Sequence, residues 1–101
     1  MEKKKPHYLL SEVQCGVKGR GVNVFTATAL TGAAALGLSS EQAVAVVLGL
    51  KQKDFHKSMT TNADHKIWQD VYHAALKPGL VAYIKVTLRE NGTVVIQFKE
   101  K

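Results

Sequence analysis

Between Ala82 and Phe98 the chain commits itself to an antiparallel pair of strands. Ala82, Ile84, Val86 and Leu88 alternate with Tyr83, Lys85, Thr87 and Arg89, and Val94, Ile96 and Phe98 resume the pattern after Asn91-Gly92. A period of two sends successive side chains to opposite faces of a sheet, so one face of this pair is apolar and has to be covered. Asn-Gly is the strongest short hairpin signal, and the expectation is a type I′ turn with positive φ at both central residues. Any fold for this sequence must supply a second layer over that apolar face.

The first half of the chain supplies it as helices. Leu9, Val13 and Val17 recur at four-residue spacing, with Leu10 widening the stripe, which predicts a helix over Tyr8 to Lys18 that Gly16 weakens and Gly19-Arg20-Gly21 ends. Val22 to Phe25 reads as short and extended. Thr26 is placed to cap a second helix running to Leu36, where Gly37 stops it, and Ser39-Ser40-Glu41-Gln42 has the capping-box form that opens a third, continuing from Ala43 to Leu48 before Gly49. The Ala-rich faces of these helices permit close packing. Ser39 to Gln42 also divides the apolar run from Ala27 to Leu50 into pieces too short to cross about 30 Å of hydrocarbon. The expected architecture is α+β, three N-terminal helices on an antiparallel sheet of about four strands, in one domain spanning residues 1–101. No export signal follows the MEKKKPH start, no membrane partner is expected, and the single Cys15 can form no internal bridge, so it reads as an inert apolar residue in a reducing cytoplasm.

Fourteen Lys and Arg against eight acids give a formal charge of +6, which suits an anionic partner and equally suits simple solubility. Lys3, Lys4 and Lys5 form a basic N-terminal arm. The stretch from Asp54 to Tyr72, DFHKSMTTNADHKIWQDVY, is more specific. Phe55, Lys57 and Met59 alternate with His56, Ser58 and Thr60, Thr61 to Asp64 is turn chemistry, and Ile67 to Tyr72 resumes as a second strand. A purely structural hairpin would carry more β-branched residues, so this polar density points to a site. Each member also has a plainer reading: a strand Lys beside apolar residues is commonly a snorkelling surface Lys, Trp68 is better suited to the core than to stacking on bases, and His7, His65 and His73 read as surface residues. His56 points away from Lys57 in a regular strand and joins it only if the strand is irregular. No two His have the compact spacing of a helical metal motif, so neither metal nor cofactor is expected.

MEKKKPH at residues 1–7, GLKQKDFHKSMTTNADHKIWQDVY at 49–72 and QFKEK at 97–101 resemble the MqsR family, the bacterial toxins of toxin-antitoxin pairs. The resemblance implies a RelE-like fold and cleavage of single-stranded mRNA without the ribosome, at GCU-type sites. It also implies an MqsA-like antitoxin, zinc-binding and of helix-turn-helix type, which represses the shared operon, so that operator DNA is engaged only through that partner. The family's proposed catalytic residues map onto Lys57, Gln69 and Tyr83, the last with an inserted residue near Lys77-Pro78-Gly79. His56 stands where the family has Tyr, and it joins His65 as an additional candidate for proton transfer. Trp68 and Lys85 are the candidate substrate contacts.

Cutting RNA without metal requires removing the ribose 2′ proton, stabilising a phosphorane-like transition state, and protonating the departing 5′ oxygen. Lys57 suits the second task as a cation; acting as a base would require its pKa to fall far below about 10.4. Tyr83 can serve as acid or phosphate ligand, and Gln69, which does not titrate, can only orient or hydrogen-bond. Strand parity stands against this grouping: Lys57 shares a face with Phe55 and Met59, Gln69 with Ile67 and Val71, and Tyr83 lies on the polar face of its strand. A bulge or strong twist that re-aims Tyr83 would reconcile them. The alternative function is a basic RNA- or protein-binding regulator without catalysis.

Overall fold

The computed structural model describes residues 1–101. After strand β1 (Glu2–Lys3) come helices α1 (Leu10–Arg20), α2 (Ala27–Ala35) and α3 (Ser40–Leu48), then strands β2 (Phe55–Thr60), β3 (Trp68–Lys77), β4 (Leu80–Leu88) and β5 (Val94–Glu100). The strands form one antiparallel sheet in sequence order, β1-β2-β3-β4-β5. Its inner face carries Tyr72, Ala74, Ala82, Ile84, Val86, Val94, Ile96 and Phe98, and these meet Leu10, Val13, Val17, Ala29 and Ala33 in one buried cluster. α1 and α2 lie on the sheet, and α3 packs behind them. The expected α+β layering holds, with a fifth strand added at the N-terminus.

Local chemistry fixes the helix ends. Thr26 Oγ1 accepts from the Ala29 amide at 3.0 Å, and Ser39 and Gln42 exchange side-chain and backbone bonds at 3.1 and 2.9 Å as a capping box. The last carbonyls of α3 are met from outside, by the Gln14 amide donating to Val47, Leu48 and Leu50 oxygens. Two glycines set the spacing of the layers. A Cβ on Gly32 would collide with the Phe98 carbonyl, and one on Gly16 with the Val94 side chain. Gly16, which weakens α1 by propensity, is therefore what lets α1 approach β5. No single helix is long and apolar enough to cross a membrane; α2 and α3 reach that length only as a pair bent by 95°.

Several boundaries differ from expectation for identifiable reasons. Leu9 is not part of the buried stripe; it is the N-cap residue of α1 and is 64% exposed, leaving Leu10, Val13 and Val17 to face the core. The segment expected to be extended is a 3-10 turn over Gly21–Val24, and only Phe25 reaches the sheet, beside Ile96. The basic arm is not free: Glu2 and Lys3 pair with Met59 and Ser58 on β2. β3 runs past Tyr72 to Lys77. At Asn91-Gly92 the turn is not type I′, because Gly92 alone has positive φ (85°). The Gly92 amide bonds the Arg89 carbonyl at 2.8 Å, the Arg89 amide bonds the Thr93 carbonyl at 2.9 Å, and Asn91 uses its side chain to accept from the Thr93 amide. That is a longer loop closed by a glycine bulge, and it spares Asn91 the left-handed conformation.

Asp70, fully buried on the inner side of β3, ties the arm down. Its carboxylate accepts from the Ser58 hydroxyl at 2.6 Å, from the His7 amide at 3.0 and 3.1 Å, and from the Tyr8 amide at 2.9 Å. Tyr8 then donates its hydroxyl to the Trp68 carbonyl at 2.8 Å. By contrast, the neighbouring Tyr72 hydroxyl is buried without a partner in the chain, and burial followed by the nearby Asp70 charge pushes its pKa up to about 12.

These two residues should respond oppositely to isosteric change. Asp70→Asn replaces an acceptor with a donor facing buried N–H groups and should cost about 2 to 4 kcal/mol in chemical denaturation, with faster amide exchange at His7 and Tyr8. Tyr72→Phe removes an unpaired hydroxyl and should leave stability unchanged or raise it by up to about 1 kcal/mol. The raised phenol contributes stability that is complete below pH 10 and is lost as pH climbs toward about 12, so the variant's advantage should widen over that window.

Candidate active site

Alternation from the inner-facing residues defines the other face of the sheet, opposite the helical layer. Lys57, Val71, Lys85 and Gln97 are register partners across β2, β3, β4 and β5, and His73, Tyr83 and Lys99 form the adjacent row. The parity conflict read from the sequence is thereby removed, though not by re-aiming Tyr83. Val71, an apolar residue, lies on this outer face between two lysines, whereas Asp70 and Tyr72 occupy the inner face. Gln69 therefore faces outward with Val71. The bulge sits in β2: Phe55 pairs with Tyr72 and Lys57 with Val71, leaving His56 as the extra residue. Phe55 turns inward to meet the Tyr72 ring edge-on at 5.6 Å, while Lys57 stays on the outer face.

Because of that bulge, His56 stacks on His73, with ring centroids 4.2 Å apart and planes 24° from parallel, and His73 in turn lies 5.5 Å from Tyr83. The ammonium groups of Lys99 and Lys85 stand 5.3 and 5.9 Å from the centre of the Tyr83 ring, within cation–π range. Tyr83, Lys85, Gln97 and Lys99 also line a hollow of about 380 Å³ that α2 closes with Thr26 and Thr28. Lys57 Nζ donates to Glu2 Oε1 at 2.6 Å. That bond is the main reason the Lys57 ammonium is held above its usual range and the Glu2 carboxyl below its own. The ion pair thus favours the charged form of Lys57. Lys85 moves the other way, its pKa lowered by burial and then by Lys99 and Lys57. Burial, followed by His56, Lys101 and Lys57, lowers the pKa of His73.

The remaining candidates lie apart from this group. Gln69 shares the outer face but faces a separate hollow with Thr61, Lys66, Thr87, Arg89 and Gln97. Four residues along β3 separate it from the partner of Tyr83, a distance of about 13 Å in an extended strand. Trp68 belongs by alternation to the inner side, at the end of β3, where the His7 ring stacks on it at 5.3 Å and the Lys3 ammonium sits 4.2 Å above it. His65 is exposed in the loop between β2 and β3. No three His, Cys, Asp or Glu side chains converge in a metal-binding arrangement. Sequence reasoning passed over Glu2, His73 and Lys99. The available signal was the alternation of β4 and β5, which already put Tyr83 and Lys85 on one polar face and, carried one strand further, includes Lys99.

The lowered pKa values of His7 and His73, each due first to burial, have a stability consequence. The unfolded chain takes up these protons near pH 6.5 and the folded chain only at lower pH, so stability present above about 6.5 is lost as the pH falls through that value. Thermal melts between about pH 7.5 and 5 should show a falling Tm, and His73→Gln should reduce the slope.

Residues 5–100 match the family described as "Motility quorum-sensing regulator, toxin of MqsA". Over 101 residues, the whole of both chains, the sequence is 45% identical to the mRNA interferase toxin MqsR of Escherichia coli strain K12.

Proposed function

The chain belongs to the MqsR toxin family, and from that membership we propose how its uncovered sheet face works. The protein is the toxin of a toxin-antitoxin pair and an endoribonuclease that cuts mRNA, with an MqsA-type antitoxin as its protein partner. Residues 1–101 act as one toxin domain in the cytoplasm, on single-stranded mRNA at GCU-type sites; the site preference rests on family membership alone. The antitoxin is zinc-binding and of helix-turn-helix type, and operator DNA is reached through it.

The observation that carries the chemical reading is the placing of Lys85 and Lys99 at the Tyr83 ring, with Lys57 in the adjoining row of the same sheet face, opposite the helical layer. Three ammonium groups favour a phosphodiester there and stabilise the added negative charge of a phosphorane-like transition state. Lys57, held charged by Glu2, takes the electrostatic role. Tyr83, beside Lys85 and Lys99, donates the proton to the departing 5′ oxygen. Gln69, about 13 Å along the strand, hydrogen-bonds to an adjacent nucleotide and sets the register of the RNA. Side-chain acid–base chemistry without metal is the reading that this donor set favours, since it offers ammonium, imidazole, phenol and amide groups and few carboxylates.

Purified protein incubated in excess EDTA with a transcript containing GCU sites should yield fragments ending in 2′,3′-cyclic phosphate. Lys57→Ala and Tyr83→Phe should each lower the rate by about 10²-fold or more with the circular dichroism spectrum unchanged. Gln69→Ala should alter the positions of cleavage more than the maximal rate. Intact RNA that is retained by the protein in a salt-sensitive way would instead identify a binder.

A further inference from the structure

The outer face holds a pair of groups to which the reading so far gives no task. Removal of the 2′ proton needs a base that is unprotonated near pH 7, and the bond to Glu2 favours the charged form of Lys57 instead. The β2 bulge delivers the missing group. A regular strand would send His56 to the inner side; the extra residue brings it over His73, so the imidazoles of His56 and His73 and the phenol of Tyr83 run in a line across β2, β3 and β4. His56 is the exposed member of that line. His73 is half-buried, and its Nε2 is enclosed with no partner in the chain.

Resting on the ribonuclease reading, we propose that the stacked imidazoles are the proton-accepting element of the site, with His56 as a catalytic residue that meets the ribose and His73 as the positioning residue behind it. The neutral His56 ring takes the 2′ proton as the 2′ oxygen forms its bond to phosphorus. The bond from phosphorus to the 5′ oxygen breaks with its electron pair, and that oxygen takes a proton from Tyr83. The products are a 2′,3′-cyclic phosphate and a 5′ hydroxyl, and the proton on the imidazole returns to the phenol through solvent. Line order suits the task, because His56 and Tyr83 lie on opposite sides of His73, as acid and base must lie on opposite sides of an in-line displacement.

The surroundings of His73 disfavour its protonation. Lys57 from β2, Tyr83 and Lys85 from β4, Lys99 from β5 and the terminal Lys101 all lie on or beside this face, and the turn Gln52–Asp54, which touches β3, adds Lys53 and Asp54. Asp54 is engaged with the Lys51 amide, and Glu2 with Lys57. The predominance of cations opposes a further proton, which agrees with the lowered pKa of His73.

The test is the pH–rate profile of RNA cleavage in EDTA by wild type, His56→Gln and His73→Gln, with His65→Gln as control. The wild-type rate should fall as pH drops below about 6.5. His56→Gln should cut about 10² to 10⁴-fold more slowly at neutral pH and lose that acid limb. His73→Gln should retain more activity, keep an acid limb and lower kcat more than it changes KM, and His65→Gln should match wild type. Wild-type rates and profiles in both pair variants would overturn the assignment while leaving the ribonuclease reading intact; a wild type that fails to cut would sink that reading first. Should either variant misfold, imidazole NMR of the wild type with an all-2′-deoxy oligonucleotide decides. Joint movement of the His56 and His73 resonances supports the pair, and movement confined to His7 and His65 refutes it.

Discussion

A buried carboxylate decides which way this sheet faces. Asp70 has no exposure and spends its oxygens on the Ser58 hydroxyl and on the amides of His7 and Tyr8, so the N-terminal arm, β2 and β3 are joined at one anion. Charge-assisted bonds of this kind are among the stronger ones a fold makes, and a buried charge without them would be prohibitive. With Asp70 inward, strict alternation puts Gln69, Val71 and His73 outward. The orientation of the candidate site thus follows from a buried residue on the opposite face of the sheet.

The parts of this fold legible in the sequence are those decided within a few residues. Thr26 and Ser39 cap as expected because the hydroxyl and the amide it accepts from are three residues apart, and the β4 and β5 alternation is a local record of one covered and one open face. The parts that were not legible depend on distant partners. β1 is two residues that form a strand only because Met59 and Ser58 come to lie beside them. Gly16 and Gly32 reveal their use only against Val94 and Phe98. Val71 was the most misleading residue: an apolar side chain reads as inward, yet it fills the outer face between Lys57 and Lys85 while a charged neighbour takes the inner position.

The same distinction holds for the site. Tyr83 and Lys85 could be placed on one polar face from periodicity, whereas the relation of Lys57 to them turned on a one-residue bulge that no composition signal announces. His56 reaches this face only through an irregular strand, and β2 carries a bulge at that residue. His73 reads as a surface histidine because nothing near it in sequence is chemically unusual; its ring partners, His56 and Tyr83, come from two other strands.

The arm links these two stories. Its backbone is held at Asp70, and its second residue places a carboxylate on the Lys57 ammonium. The two attachments differ in kind. One is a buried network that has to break as a whole, the other an ion pair with Glu2 56% exposed, where water and salt already screen the attraction. On the proposed reading, a phosphate arriving at Lys57 would compete with Glu2 alone and leave the arm docked. On that reading the cation would stay charged whichever anion it held, which is what a group proposed to stabilise a transition state electrostatically requires.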